Sequence, residues 1–464
     1  MIKITYKGNT KEIEADPSAS ILDLVHKCFD CELSGCAKKG SCGRCVCRVR
    51  RKDEYLSLLS CSSRALDGDE ILCDFREKEY GLHKFKGDAS ELLITTEDTA
   101  ENEAEGTSPE ATDGLHNFAA IDLGTTSIGF SYKGKTRVCL NPQLRYGSDV
   151  ISRMSAAQSG KAEEIKRLTL KCIGENLEDL DPDKTLRGAF IAANTAMVHL
   201  LMGYDTTSLG CAPFKGVSLK EEHFAFGRFE IYVLPGASAF IGSDAISGAY
   251  FVENEPGYDG GDYLLVDLGT NAEMIYKKGD GYLALSAAAG PAFSGDASLN
   301  LEGSEMISLT AKGLRDGVID RTGLLADEYF ETGYPVNGHV LKQEHIRNIQ
   351  LAKAAIACSF AYLIRMAGDP SKAPEDLNVY ITGAFGYRLS IPDLMEIGLF
   401  PGAGAHRIKV PGNSSLKGIE YALKNEKTSD IYIGKLEDII QRMNILSLPD
   451  LEDFGEKYYL AMGF

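Results

Sequence analysis

No run of apolar residues in this 464-residue chain is long enough to cross a bilayer, which argues against a membrane-spanning protein. The opening residues, MIKITYKGNTKEIEA, alternate apolar and polar side chains like a strand and lack the apolar core of a signal peptide. The chain is therefore expected in the cytoplasm. Positive charge is scarce as well: 49 Lys and Arg stand against 67 Asp and Glu, a net charge of −18. Phosphate backbones demand a basic face, so a general nucleic-acid binder is excluded, and the acidity reads as solubility. There is no P-loop, and no GxGxxG follows a strand in a dinucleotide-binding context. The eight histidines show no metal-ligand spacing, and His199, in TAMVHLLMG, reads as a packed helix residue.

Cysteine is plentiful and unevenly placed. Eight of the twelve fall between Cys28 and Cys73, while Cys139, Cys172, Cys211 and Cys358 are single and read as core. In a cytoplasmic chain of this size such crowding points to metal rather than disulfides. In GCAKKGSCGRCVC, five residues separate Cys36 from Cys42 and two separate Cys42 from Cys45; Cys61 follows in LSCSSRAL. Four soft thiolates suit a 2Fe–2S cluster, with Gly40 and Gly43 letting the loop wrap it. A tetrahedral zinc site is the competing reading, although Cys61 lacks the close partner that zinc sites usually have. Cys28, Cys31, Cys47 and Cys73 are extra and read as small buried hydrophobes.

The length implies two or three domains. Residues 1–80 read as a small β-rich unit: a hairpin over Ile2–Ala15, a helix near Ile21–His26 capped by Ser18 or Ser20, and strands near Val46–Val49 and Ile71–Phe75. Residues 81–116 include a stretch rich in Glu, Asp, Thr, Ser and Gly with almost no aromatics, the composition of a flexible acidic linker. The remainder contains a repeat. FAAIDLGTTSIGFSYKGKTRVCL matches YLLVDLGTNAEMIYKKGDGYLAL, with Asp122 and Asp267 145 residues apart. Each copy reads as a strand ending in Asp, a Gly-Thr turn, a strand, a Lys-Gly turn and a strand. Helices are expected at Glu163–Leu177 and Ile346–Met366. Two similar α/β lobes follow, over 117–260 and 261–464.

An aspartate followed by Gly-Thr at a strand turn suits hydrated Mg²⁺ and phosphate, and two such turns make a clamp on a triphosphate. Asp122 and Asp267 would position Mg-ATP, and Gly124, Thr125, Thr126, Gly269, Thr270 and Asn271 would cradle the phosphates. A Gly-rich turn after the strand Val379–Thr382 supplies Gly383, Ala384 and Gly386 to face adenosine. Asp149 and Asp244 suit the base of an actin-like small-molecule kinase, or, more plainly, a magnesium shell or a helix cap.

With these motifs in hand, the chain resembles the reductive activators of corrinoid proteins. The likeness rests on CAKKGSCGRC with LSC, DLGTTS, NPQLRYGSDVISRM, ANTAMVHLLMG, VDLGTNAE, AAAGPAFSGD, and ITGAFG with IGLFP. The resemblance implies an α+β and α/β multidomain protein: a β-grasp 2Fe–2S ferredoxin-like domain, a flexible linker, and a two-lobed actin-like ATPase with ribonuclease H-like lobes. It implies ATP-dependent transfer of an electron from the cluster to the Co(II) form of a corrinoid protein, restoring Co(I). It also implies an upstream ferredoxin or flavoprotein reductant, and a homodimer through the ATPase domain. Known members are longer and carry an extra small domain before the ATPase, whereas here DLGTTS follows the linker almost at once.

Overall fold

The computed structural model describes residues 1–6, 9–16, 18–29, 46–51, 54–60, 63–73, 115–147, 149–269, 271–288, 301, 303–368, 374–383, 389–448 and 453–464. Cys36, Cys42, Cys45 and Cys61, with Cys31, most of the linker, Thr270, Ala384 and Gly386, lie outside the described residues.

The N-terminal unit contains β1 (Ile2–Tyr6), β2 (Asn9–Ile13), α1 (Ile21–Cys28), β3 (Val46–Arg51), β4 (Glu54–Leu59) and β5 (Glu70–Cys73). Its sheet runs β2-β1-β5-β3-β4, with β5 parallel to β1 and antiparallel to β3. Period-two alternation sends Ile2, Ile4 and Tyr6 of β1 and Ile71 and Cys73 of β5 to one face. There they meet Ile21, Leu24 and Val25 of α1. The helix starts where expected because Ser20 accepts from the Asp23 amide, while the Asp23 carboxylate accepts from the Ser20 amide, a capping box. Cys28, Cys47 and Cys73 are buried, as small apolar residues should be. Strand β4 has no counterpart in the sequence reading.

The duplicated region begins two residues before the end of the expected linker, because Leu115 is buried against Phe118 and Ala120. Its first half contains β6 (Phe118–Leu123), β7 (Ser127–Tyr132), β8 (Lys135–Leu140), α2 (Val150–Ala156), α3 (Ala162–Leu180), β9 (Gly188–Ala193), α4 (Thr195–Met202), β10 (Glu222–Phe226), β11 (Phe229–Val233) and α5 (Ser243–Asn254). The second contains β12 (Tyr263–Leu268), β13 (Ala272–Lys278), β14 (Gly281–Ala287), α6 (Gly303–Arg315), α7 (Asp327–Phe330), β15 (Tyr334–Val336), β16 (His339–Leu341), α8 (Gln343–Ala367), β17 (Asn378–Thr382), α9 (Ile391–Glu396), β18 (Ile408–Gly412), α10 (Ser414–Asn425), α11 (Ser429–Gln441), β19 (Met443–Ile445) and α12 (Phe454–Leu460).

The two large sheets share one plan. Strands β6-β7-β8 and β12-β13-β14 are antiparallel meanders, and β9 and β17 lie parallel against the first strand of each. In the second copy the tight turn is Gly279–Asp280 rather than Lys-Gly, because Lys278 pairs with Gly281 and so belongs to the strands. Alternation divides each sheet between two cores. Ala119, Ile121 and Leu123 face α3 and α4. Leu264, Val266 and Leu268 face α6 and α8. The opposite faces, carrying Ala120 and Leu265, meet in a third core with α5, α10 and α11. Asp122 and Asp267 share the face of Ala120 and Leu265, so the residue period alone turns both toward the other lobe.

Helix α8 corrects one expectation: by length and composition its 25 residues suffice to span a bilayer. Fifteen of them, Ile349, Ile356 and Phe360 included, are buried in the core, which explains the apolar content. Cys211 is another correction, being exposed rather than core.

Helices α5 and α10 cross with almost no room between them. A Cβ on Gly418 would lie 2.1 Å from the Ser247 carbonyl oxygen, and one on Gly248 would lie 2.7 Å from Ser414 Oγ. Gly418→Ala is expected to lower the stability of this domain by about 2 kcal/mol, since a tightly packed crossing must be pushed apart. Urea unfolding followed by circular dichroism measures it.

Candidate nucleotide site between the lobes

Each Asp-Gly-Thr motif falls at the end of its first strand. Asp122 is the penultimate residue of β6 and Asp267 of β12. Helix α10, although it follows β18 of the second sheet, reaches across to Asp122. Asn413 Nδ2 donates to one carboxylate oxygen at 2.7 Å, and Ser415 Oγ donates to the other at 3.0 Å. Asn413 does two jobs, since its Oδ1 accepts from the Leu416 amide at 2.8 Å and caps α10. Asp122 therefore lies at the positive end of a twelve-residue helix. Ser414 ties the same turn to lobe II through Thr382 Oγ1, the β17 residue level with Asp267.

The surrounding turns are braced by asparagines. Asn141 Nδ2 donates to the Gly124 carbonyl at 2.8 Å, and the Asn141 amide donates to the Thr126 carbonyl at 2.9 Å. Asn194, the N-cap of α4, reaches Thr125 Oγ1 at 3.2 Å. In lobe II the Gly269 amide donates to the Asn271 carbonyl at 2.8 Å. Gly383, at φ +94°, follows β17 so closely that a Cβ would fall 2.4 Å from Asp267 Oδ1 and 2.5 Å from the Leu268 carbonyl. Only glycine fits there, and it lets the backbone after β17 press directly against the aspartate.

Two further carboxylates complete the cluster. Glu273 sits directly across from Asp267 in the β12–β13 ladder, on the same face. Asp244 lies in the first turn of α5 and accepts from the Ala245 amide. Burial raises the pKa of all four groups. The Asp244 carboxyl is pushed up to about 7, by burial and then by the charge of Asp122. Asp267 lies well above the carboxylate range through burial, then Asp244, then Asp122. Glu273 is raised well above its ordinary value by burial, then by Asp267 and Asp244. Asp122 is raised by burial against the pull of its two hydrogen bonds. No cation among the described residues opposes the shifts of Asp122, Asp244 and Asp267.

Such a set suits a hydrated divalent cation. Mg²⁺ keeps several waters and takes one or two carboxylates together with phosphate oxygens. Among the described residues, no three His, Cys, Asp or Glu side chains stand close enough to hold a metal directly.

Of the two kinase-base candidates, Asp149 caps α2 through the Ser152 amide and takes the plainer reading, whereas Asp244 joins the cluster. His199 is buried, with Nδ1 on the Thr195 carbonyl and Nε2 accepting from the Val217 amide, as a core histidine. Glu273 and Asn413 escaped the sequence reading. Alternation in the second repeat, counted back from Asp267 across a tight turn, holds the signal for Glu273. Nothing local signals Asn413.

Asn413→Ala is expected to lower stability by about 2–3 kcal/mol, from a lost cap and a lost bond to a carboxylate; urea unfolding checks it. Asp244 gives a pH prediction. Its native pKa, about 7, exceeds its ordinary 3.8, so its contribution favours folding below 3.8 and is lost as pH rises through 7. The melting temperature of magnesium-free protein should fall between pH 5 and 8, and Asp244→Asn should flatten that fall.

Two models of one family match in tandem: the RACo middle region over 118–255, and the C-terminal domain of RACo, the ASKHA domain, over 262–300 and 298–464. The chain is 25% identical over 393 residues to the corrinoid activation enzyme RamQ of Eubacterium limosum, covering 67% of this chain and 65% of that protein. It is 28% identical over 205 residues to the [Co(II) methylated amine-specific corrinoid protein] reductase of Methanosarcina barkeri, covering 42% and 36%. It thus spans less than two thirds of the length of either relative. The solved reductive activator for corrinoid, iron–sulfur protein superposes with a TM-score of 0.62 at 21% identity, covering 100% of this chain and 98% of that one. With the duplicated sheets and paired aspartates described above, these matches place the chain in the RACo family, with an actin-like ASKHA fold.

Proposed function

We propose that the protein is an ATP-dependent reductive activator that returns the inactive Co(II) form of a corrinoid protein to Co(I). The observation that carries the nucleotide half is the facing pair Asp122 and Asp267 at matched strand ends, joined by Asp244 and Glu273 with no neighbouring cation among the described residues. The names of the two curated relatives support the corrinoid client.

In this reading, Asp122 and Asp267 orient the water shell of Mg²⁺ from opposite lobes. The turns at Gly124, Thr125 and Thr126 and at Gly269, Thr270 and Asn271 take the phosphates, and Gly383, Ala384 and Gly386 take the adenosine. Cys36, Cys42, Cys45 and Cys61 would hold a 2Fe–2S cluster, which supplies a one-electron couple near about −400 mV. Because each 59 mV of mismatch costs tenfold in a one-electron equilibrium, a lower-potential cobalt needs help. Asn413 and Ser415 link the aspartate that meets the nucleotide to the helix crossing between lobes, so occupancy of the site bears on the lobe arrangement offered to the client. The cytoplasm, an upstream ferredoxin or flavoprotein, and a homodimer belong to the same proposal. A second reading, an actin-like small-molecule kinase, draws on Asp244, whose pKa of about 7 suits a general base at neutral pH. ADP release driven by sugars or carboxylates would favour it.

Anaerobically, reduced protein with Mg-ATP and a Co(II) corrinoid protein is expected to produce the Co(I) absorbance. Asp122→Ala should abolish ATP stimulation and leave the visible spectrum of the cluster intact. Colourless protein holding zinc, without iron or labile sulfide, would overturn the electron-transfer half.

A further inference from the structure

Two of the cysteines expected to be solitary core residues meet in space. Cys139 of β8 and Cys172 of α3 place their sulfurs 3.4 Å apart. Both are half-buried, so a small reactant can approach them. Asn176, one helical turn after Cys172, holds its Nδ2 3.7 Å from Cys139 Sγ and 3.6 Å from Cys172 Sγ, and anchors that amide on the Cys172 carbonyl at 2.8 Å. The pair is chemically unequal. Either sulfur can donate to the other, and their contact draws the Cys172 pKa down and pushes that of Cys139 up. The Cys172 sulfur is therefore the one disposed to act as thiolate.

We propose that Cys139 and Cys172 form a redox-convertible dithiol that takes small-molecule disulfides as its reactant and adjusts the phosphate turn of lobe I. The Cys172 thiolate attacks one sulfur of the small disulfide, forming a mixed disulfide and releasing one small thiolate. Cys139, losing its proton, then attacks the Cys172 sulfur and releases the second small thiol. Two protein thiols and one small disulfide thus give one protein disulfide and two small thiols, with no other oxidant. Paired thiols in reducing compartments are commonly redox-sensing.

The route to the site is short. Closing the bond brings the sulfurs from 3.4 Å to about 2.05 Å, drawing β8 and α3 together. Two residues beyond Cys139, Asn141 holds the Gly124 carbonyl through its side chain and the Thr126 carbonyl through its amide. A shift at the end of β8 is passed directly to the turn proposed to cradle phosphate. This coupling rests on the nucleotide reading above, whereas the dithiol chemistry does not.

The test treats the full-length protein with oxidised and reduced glutathione in varied ratio, alkylates the remaining thiols, and maps peptides under non-reducing conditions. A Cys139–Cys172 linkage reversed by dithiothreitol is expected. In Cys139→Ser, Cys172 should instead retain a glutathione adduct. Exposed Cys211 is the internal control. If Cys211 takes up glutathione while Cys139 and Cys172 stay alkylatable, the dithiol proposal is overturned. A fluorescent ATP analogue with Mg²⁺ then reads the coupling. The oxidised wild type should bind at least threefold more weakly than the reduced, with no difference in Cys139→Ser/Cys172→Ser. Equal binding by linked and unlinked wild type would overturn the coupling. Failure of the reduced wild type to bind would refute the nucleotide reading, and the coupling with it.

Discussion

Like charges brought together where water is thin are the constraint on which the duplicated region turns. Asp122, Asp267, Asp244 and Glu273 come from four different elements; burial makes the ionisation of all four harder, and the charges of Asp122, Asp244 and Asp267 add to it at their neighbours. Repulsion of this kind normally selects against such a grouping, and perturbed carboxylates cluster at functional sites, which is why the proposed nucleotide site is centred on it. Asp244 accepts from the Ala245 amide and Glu273 from Ser286 Oγ, while Asp122 is relieved by two side chains, Asn413 and Ser415. That relief arrives from the other half of the chain, so this buried carboxylate of lobe I is held by the helix that belongs in sequence to lobe II. The lobes are joined at their most charged point as well as through their apolar core.

The helix crossing of α5 and α10 complements this. Glycines at Gly248 and Gly418 let the backbones approach until carbonyl and hydroxyl oxygens fill the gap. The result is a close and extensive contact, flanked by Ile246 and Tyr250 of α5 and Leu416 and Ile419 of α10, next to the polar end of α10. The crossing lies beside the residues that hold Asp122, since Ser414, which Gly248 approaches, stands between Asn413 and Ser415. In the proposed mechanism this adjacency is what would couple nucleotide occupancy to lobe arrangement.

Much of this was legible in the sequence. Because strand residues alternate faces, the repeat FAAIDLG and YLLVDLG carries the inner and outer faces of both sheets, and with them the direction of Asp122 and Asp267. The capping box at Ser20 and Asp23 and the long apolar period of α8 were equally local signals. What stayed hidden depends on pairings across long stretches of chain. Asn413 meets Asp122 across 291 residues, and no periodicity encodes that. Cys139 and Cys172 appear solitary because a strand and a helix bring them together from 33 residues apart. Strand β4 was missed because its sequence, EYLSLL, lies in a short polar setting beside the cysteine loop.

The two halves of the duplication differ at one telling place. Opposite Asp267 stands Glu273; opposite Asp122 stands Gly129. A Cβ at Gly129 would lie 3.8 Å from Asn413 Nδ2, in ordinary contact, so the Asn413 amide that reaches Asp122 lies against the position that Glu273 fills with a carboxylate in the second copy. Identical halves would make a two-fold symmetric cleft, offering two equivalent orientations to whatever it holds. This glycine and glutamate, with Asn413 and Ser415 on Asp122 and Gly383 against Asp267, remove that equivalence, so a molecule with unlike ends meets a cleft with a definite front and back.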